Sequence, residues 1–165
     1  MKRILLALLA LVALYFVVRG LVHALASDDT KIRWLLEDMT EGFDDTRMNP
    51  ILSGLAQEFV DEGSGARKDD VRAGLARLFL QSKDPKTKKF PFRARIVPEA
   101  FTVSVHTSET NTAEADFVLD CEQSDGEEVW NPAWKAQVRA ELAEQPGGWK
   151  LVRTRIDTLE GKRLR

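Results

Sequence analysis

An α+β domain carried behind an apolar N-terminal helix is predicted by three features of this sequence. Ile4 to Val18 is an unbroken apolar run, three stretches between Asp28 and Ser82 repeat their apolar residues at helical spacing, and from Phe92 to Val152 the repeat shortens to two. Helices grouped ahead of strands pack together on one face of an antiparallel sheet. The expected architecture is therefore an N-terminal transmembrane helix followed by three helices on a curved antiparallel sheet.

The N-terminal segment comes first. Lys2 and Arg3 precede the apolar run, Arg19 and Gly20 follow it, and a second apolar stretch ends at Ala26. Positive charge ahead of an apolar core keeps the amino end in the cytoplasm, so residues after Ser27 are expected to be translocated. Ile4 to Leu25 matches the ~20 residues that a helix needs to cross a bilayer, and Arg19 can reach the headgroups. Fifteen unbroken apolar residues exceed what most cleaved signals carry, which favours a signal anchor over residues 1–27 and single-pass retention in the inner (cell) membrane. Ala24-Leu25-Ala26 before Ser27 is also an A-x-A cleavage site, and it leaves open a periplasmic or secreted protein. One domain, 28–160, and a basic tail, 161–165, complete the expected organisation.

Charge and cysteine content exclude several classes. All 26 acidic residues but only 21 of the 24 basic ones follow Ser27, which leaves that part with a net charge of −5. Such a domain is a poor match to nucleic acid, whose phosphates reward a basic surface. Cys121 is the only cysteine, so no intramolecular disulfide can form, and its alternation with Leu119 and Phe117 makes it a buried structural thiol.

The first helix is predicted from the cap-type residues Asp28-Asp29-Thr30, with Ile32, Leu35, Leu36, Met39 and Phe43 as one stripe that stops near Gly42. Asn49-Pro50 opens a second, which carries Ile51, Leu52, Leu55 and Phe59 inward and ends around Glu62-Gly63. The third runs from about Lys68 to Ser82, with Val71, Leu75, Leu78 and Phe79 buried. Strands follow. Phe92, Ala94 and Ile96 alternate with arginines; Phe101, Val103 and Val105 alternate with Thr102, Ser104 and His106; Ala115 to Cys121 alternate largely with acids. Trp134, Ala136, Val138, Ala140 and Leu142 make a fourth strand, and Gln145-Pro146-Gly147-Gly148 turns the chain into a fifth at Trp149, Leu151 and Val152.

Three helices, then a hairpin-rich sheet whose last long strands are joined by a Gly-Gly turn into Trp149-Lys150-Leu151-Val152, resemble the nuclear transport factor 2-like superfamily. The resemblance covers roughly Asp28 to Leu159 and implies a cone-shaped, cystatin-like α+β fold. Members include isomerases, dehydratases, polyketide cyclases, transport factors and domains that assemble complexes at bacterial membranes, so the fold does not choose among functions.

The catalytic sets that the resemblance suggests are not matched. Isomerase-like members pair a carboxylate base with a tyrosine, and Tyr15, the sole tyrosine, lies in the N-terminal segment. Dehydratase-like members need a histidine inside the cone, whereas His106 alternates with Val105 and so faces outward; His23 belongs to the N-terminal segment. Glu114, Asp116, Asp120 and Glu122 alternate along one strand opposite Lys135 and Arg139, with Arg153 and Arg155 beyond, as in a solvated charge ladder. Asp44 and Asp45, between the first helices, are the best-placed acids for a pocket, although a cap and turn also explains them, and replacing either is expected to leave folding nearly unchanged. Gly63-Ser64-Gly65 lacks the lysine of a phosphate loop, and the acids around Asp125-Gly126 lack calcium-loop spacing. No cofactor and no metal site is expected, for want of paired His and Cys ligands.

Two functions remain, both non-catalytic. One is a membrane-anchored extracytoplasmic interaction domain that presents Trp130 and Trp134 to a protein partner or to a second copy of itself. The other is a small-molecule pocket in the cone, lined by Trp34, Phe59, Phe79, Phe117 and Trp149, for an apolar ligand. An isomerase- or cyclase-like enzyme using that pocket is the alternative, and an inward-pointing acid or arginine would favour it.

Overall fold

The structure, a computed structural model, describes residues 11, 25–84, 89–124 and 129–161. The expected membrane span falls almost wholly outside them. Among the described residues no helix is long and apolar enough to cross a membrane.

Helix α1 (Asp28–Asp44) starts at Ser27, whose Oγ accepts from the Thr30 N–H, and Asp28 and Asp29 sit in the first turn, where they favour the positive end of the helix dipole. Helix α2 (Met48–Gly54) follows after a tight reversal at Thr46, the one non-glycine residue with positive φ among those described. The chain then changes to strand. Leu55–Asp61 is β1, and it pairs in parallel with the last strand, so the second predicted helix ends early and the sheet is mixed rather than antiparallel. Leu55 and Phe59 are inward as expected, at 4% and 5% exposure, but on a strand. An i, i+4 pair shares a face at both the helical and the strand period, so those two residues cannot separate the alternatives. Helix α3 (Lys68–Gln81) is capped by the Asp70 carboxylate, which accepts from the Arg67 N–H at 2.9 Å.

The remaining strands lie where alternation predicts them: β2 (Phe92–Ile96), β3 (Thr102–His106), β4 (Thr112–Ser124), β5 (Trp130–Gln145) and β6 (Gly148–Gly161). Their order is β1-β6-β5-β4-β2, and β3 pairs with the other end of β4. β6 runs through Gly161, one residue into the predicted tail. Gly147 and Gly148, at φ 98° and 106°, supply the backbone that the β5–β6 hairpin demands.

The ladder slips at defined points. Leu142 faces Leu151 while Glu141 faces Arg153, so Val152 is an extra residue on β6. That bulge turns Thr154 and Ile156 to the inner face, where simple alternation from Trp149 and Leu151 would put Arg153 and Arg155. Under the narrow end of the sheet the core is filled, with Ile32 and Leu36 of α1 against Ala113, Ala115, Leu142, Trp149 and Leu151. A smaller cluster, Ala94, Cys121, Trp134 and Ala136, lies toward the other end and is met by Phe43.

The α1–α2 reversal depends on close backbone approach. A Cβ on Gly42 would stand 2.9 Å from Pro50 Cβ and 3.1 Å from the Arg47 carbonyl oxygen, neither of which can swing aside. Gly42→Ala is expected to lower unfolding stability by about 1–3 kcal/mol in urea titrations, the usual cost of overpacking; an unchanged midpoint would show that the reversal is loose.

Candidate functional site

The cone encloses an apolar cavity of about 330 Å³ between the far half of α1 and the inner face of the sheet. That volume is at the lower end of small-molecule sites, roughly 300–1,000 Å³. Met39, Thr40 and Phe43 of α1 roof it, Ile51 of α2 and Leu75 and Leu78 of α3 close one side, and Ala94 and Ile96 of β2 close the other. Its floor is Phe117, Leu119 and Cys121 of β4, Trp134 and Val138 of β5, and Leu151, Thr154 and Ile156 of β6.

The polar groups in the wall already have partners. Thr40 Oγ1 donates to the Glu37 carbonyl at 2.8 Å, the Trp134 indole N–H to Thr158 Oγ1 at 3.1 Å, and Thr154 Oγ1 to Asp61 Oδ1 at 3.2 Å. Burial pushes the Cys121 thiol up to about 12, assisted by the charges of Asp120 and Asp44, so it stays protonated and unreactive at neutral pH. No charged residue lines the cavity.

Behind Thr154 lies a group that the sequence did not reveal. Asp61, 3% exposed at the end of β1, accepts from the Ser64 N–H at 3.1 Å and Ser64 Oγ at 2.5 Å as well as from Thr154. It ties the β1 turn to β6. The misassigned helix hid it, since on a helix ending near Gly63 it would be a surface acid.

Asp44 is structural in a way the cap-and-turn reading did not anticipate. Its Oδ1 accepts the Ala94 N–H at 2.7 Å, which satisfies a donor on the outer edge of β2 and fastens α1 to the sheet. Desolvation holds its carboxyl above the ordinary range, opposed by that hydrogen bond and by the charges of Arg95 and Arg93. Removing the side chain would leave the edge N–H without this acceptor, so the expectation of a silent Asp44→Ala change is corrected. Asp45 is exposed and paired with Arg47 at 2.9 Å.

The aromatic residues proposed to line a pocket are dispersed. Phe117 is in the cavity wall; Phe79 stands behind it, its ring centroid 5.9 Å from that of Phe43. Phe59 and Trp149 are in the filled core, and Trp34 is half-buried on α1, outside the cavity lining. Trp134, read from sequence as an interface residue, is 7% exposed and part of the cavity floor. Trp130 is half-buried, with the Arg93 guanidinium 4.2 Å above its ring. Thr40, Leu75 and Leu78 could have been found as stripe or flanking residues, whereas Thr154 and Ile156 depend on the β6 bulge.

His106 is exposed beside Ser104 and Thr102, as alternation required. On the outer face Asp116 meets Arg139 at 3.8 Å, and Arg153 lies 3.5 Å from Glu141 and 3.6 Å from Glu62. Among the described residues no group of three or more His, Cys, Asp or Glu is placed to hold a metal ion.

A second, polar groove of about 260 Å³ adjoins the cavity, sharing Thr40 and Ile96 as walls. Arg33, Glu37 and Glu41 contribute from α1, Arg95 from β2, and Pro98 and Phe101 from the connection to β3. The Arg33 guanidinium sits 4.1 Å over the Phe101 ring.

No family model matches the chain. No curated protein matches it either. Solved structures do. A candidate scytalone dehydratase from Novosphingobium aromaticivorans superposes with TM-score 0.63 at 14% identity, covering 82% of this chain and 88% of that one. A nuclear transport factor 2-like protein with a cystatin-like fold from the same organism gives 0.61 at 16% identity over 90% of each chain. A protein of unknown function with a cystatin-like fold from Nostoc punctiforme gives 0.59 at 16% identity, covering 79% and 90%. The chain has the cystatin-like cone fold of the nuclear transport factor 2-like proteins.

Arg93 donates to Glu122 across β2 and β4. That hydrogen bond holds the Glu122 carboxyl below its ordinary 4.5, against desolvation and with help from the charges of Arg93 and Arg95. Because the folded value is the lower one, the contribution is present above the ordinary value and is lost as pH falls through the folded one. Glu122→Gln should therefore cost about 0.5–1 kcal/mol near pH 7 and converge on the parent as pH falls through the folded value in denaturant melts. A constant offset across that range would remove the ion pair from the account.

Proposed function

We propose that this domain binds a largely apolar small molecule in the cone without transforming it. The observation that carries the reading is the cavity wall: aliphatic and aromatic side chains, three hydroxyl or thiol groups that are partnered or buried, and no charge. Transfer of an apolar ligand from water to such a wall is favourable at about 25 cal/mol per Å² removed from water. Acid–base chemistry needs a titratable group within reach of the substrate, and the two carboxylates beside the wall, Asp44 and Asp61, each hold a hydrogen-bonded structural position. One structural neighbour is described as a candidate scytalone dehydratase, but the histidine that the resemblance implies for such an activity is not in the cone here: His106 is exposed on β3.

Trp134 in the floor supplies the readout. An apolar fluorescent probe should quench or shift its emission in the full chain held in amphipol, and Val138→Phe, which projects a ring into the cavity, should weaken the probe at least tenfold while circular dichroism stays unchanged. Should that variant fail to fold, Ala94→Leu fills the cavity from β2 and the same probe titration reads its effect. Equal affinity for parent and folded filled variants would refute the reading.

The domain works outside the cytoplasm, carried on the inner membrane by residues 4–25, or released there after cleavage at Ala26. Lys2 and Arg3 ahead of the apolar run support this orientation. A reporter that is active only in the cytoplasm should be silent when fused after Arg165; activity there would reverse the topology. A protein partner or self-association would use the Trp130 end, where Val129 is 52% exposed.

A further inference from the structure

We infer that the ligand is a single-chain amphiphile with a zwitterionic head, its chain in the apolar cavity and its head in the adjoining groove between α1 and β2. The inference rests on the cavity reading and extends it. Thr40 and Ile96 line both spaces, so the two meet at these side chains, which the proposed ligand would have to pass. The change of chemistry at that boundary is abrupt. On one side the wall has no charge; on the other it has two guanidiniums, Arg33 and Arg95, and two carboxylates, Glu37 and Glu41.

Those four charges balance in number, and no ion pair joins any two of them. Arg33 is oriented by the Phe101 ring instead of by an acid. Elsewhere on the surface opposite charges do meet, as Arg139 meets Asp116 and Arg153 meets Glu141. The groove thus presents both signs unpaired with each other beside an apolar chamber. A head with one charge would gain from one pair and be repelled by the other, whereas a head that carries an anion and a cation can satisfy both. An uncharged head gains neither, and none of the wall residues between the two spaces offers an unpartnered hydroxyl in its place.

The test uses the full chain in amphipol and four dodecyl probes below their micellar concentrations: dodecylphosphocholine, dodecyl sulfate, dodecyltrimethylammonium and dodecanol. Binding is read by calorimetry, with Val138→Phe as the background for non-specific uptake. The zwitterion should bind at least tenfold more tightly than each of the other three. Charge-removing variants should then re-sort the probes. Arg95→Gln and Arg33→Gln leave the groove net negative and should move preference toward the ammonium; Glu37→Gln and Glu41→Gln should move it toward the sulfate. These are exposed or half-exposed positions on one helix and one edge strand, and circular dichroism of each variant checks the fold. Uptake of all four probes above background with equal affinity, or a ranking indifferent to the four variants, overturns the head assignment and leaves the apolar cavity standing. No uptake above the Val138→Phe background for any probe overturns both.

Discussion

Everything in this fold follows from covering one apolar face of a long β4–β5–β6 sheet with a helix too short to fill the space beneath it. The three strands are 13, 16 and 14 residues long, and their inner face is apolar almost throughout. Helix α1, with 17 residues at about 1.5 Å each, must cover them. Its first half does so completely: Ile32 is 0% exposed and Leu36 3%, against a tight floor of alanines at 113 and 115. Its second half roofs the cavity, with Met39, Thr40 and Phe43 in the wall. The same helix is therefore core at one end and roof at the other.

Beside the packing of Phe43, polar links hold the second half in place. Asp44 reaches from the last turn of α1 to the free edge of β2, and the Arg93–Glu122 pair fixes β2 to β4 one residue away. Asp61 does the equivalent on the far side, joining the β1 turn to Thr154 of β6. Each carboxylate satisfies donors that would otherwise be stranded at a sheet edge or beneath a turn. Apolar packing closes one end of the cone, and hydrogen-bonded carboxylates prop the other end open.

Five of the six strands and two of the three helices could be read from period alone, because their faces are cleanly divided: Val103 and Val105 against Ser104 and His106 is decisive. Leu55 to Asp61 was not legible, since its two large apolar residues are four apart and suit either period. The cavity was legible in chemistry but not in membership. Large aromatics signal burial, and Phe59 and Trp149 are indeed buried, but burial does not distinguish a filled interior from the lining of a space. That distinction depends on where β6 bulges and how far α1 stands from the sheet, and neither is written in residue type. Trp134 illustrates the point from the other direction: named as an interface residue for its place at the entry to β5, it shares the period-two face of Ala136 and Val138, and there, opposite Cys121, it is buried.

An apolar space of about 330 Å³ left open is costly for a small domain. Filling it would remove more apolar surface from water, and packing defects of this kind destabilise by roughly 24 cal/mol per Å³ when they are truly empty. The surrounding sequence avoids the easy remedies. Ala94 stands where a larger residue would fit the strand pattern, Thr40 interrupts the α1 stripe with a hydroxyl, and Leu75 and Leu78 reach over the space from a helix in which only Phe79 is buried. Local rules that would complete the core are relaxed at one end and kept at the other, where Ile32 and Leu142 are fully buried. Such a one-sided departure is expected where a site has been set into a fold, since a general weakness of packing would not stop at the middle of α1.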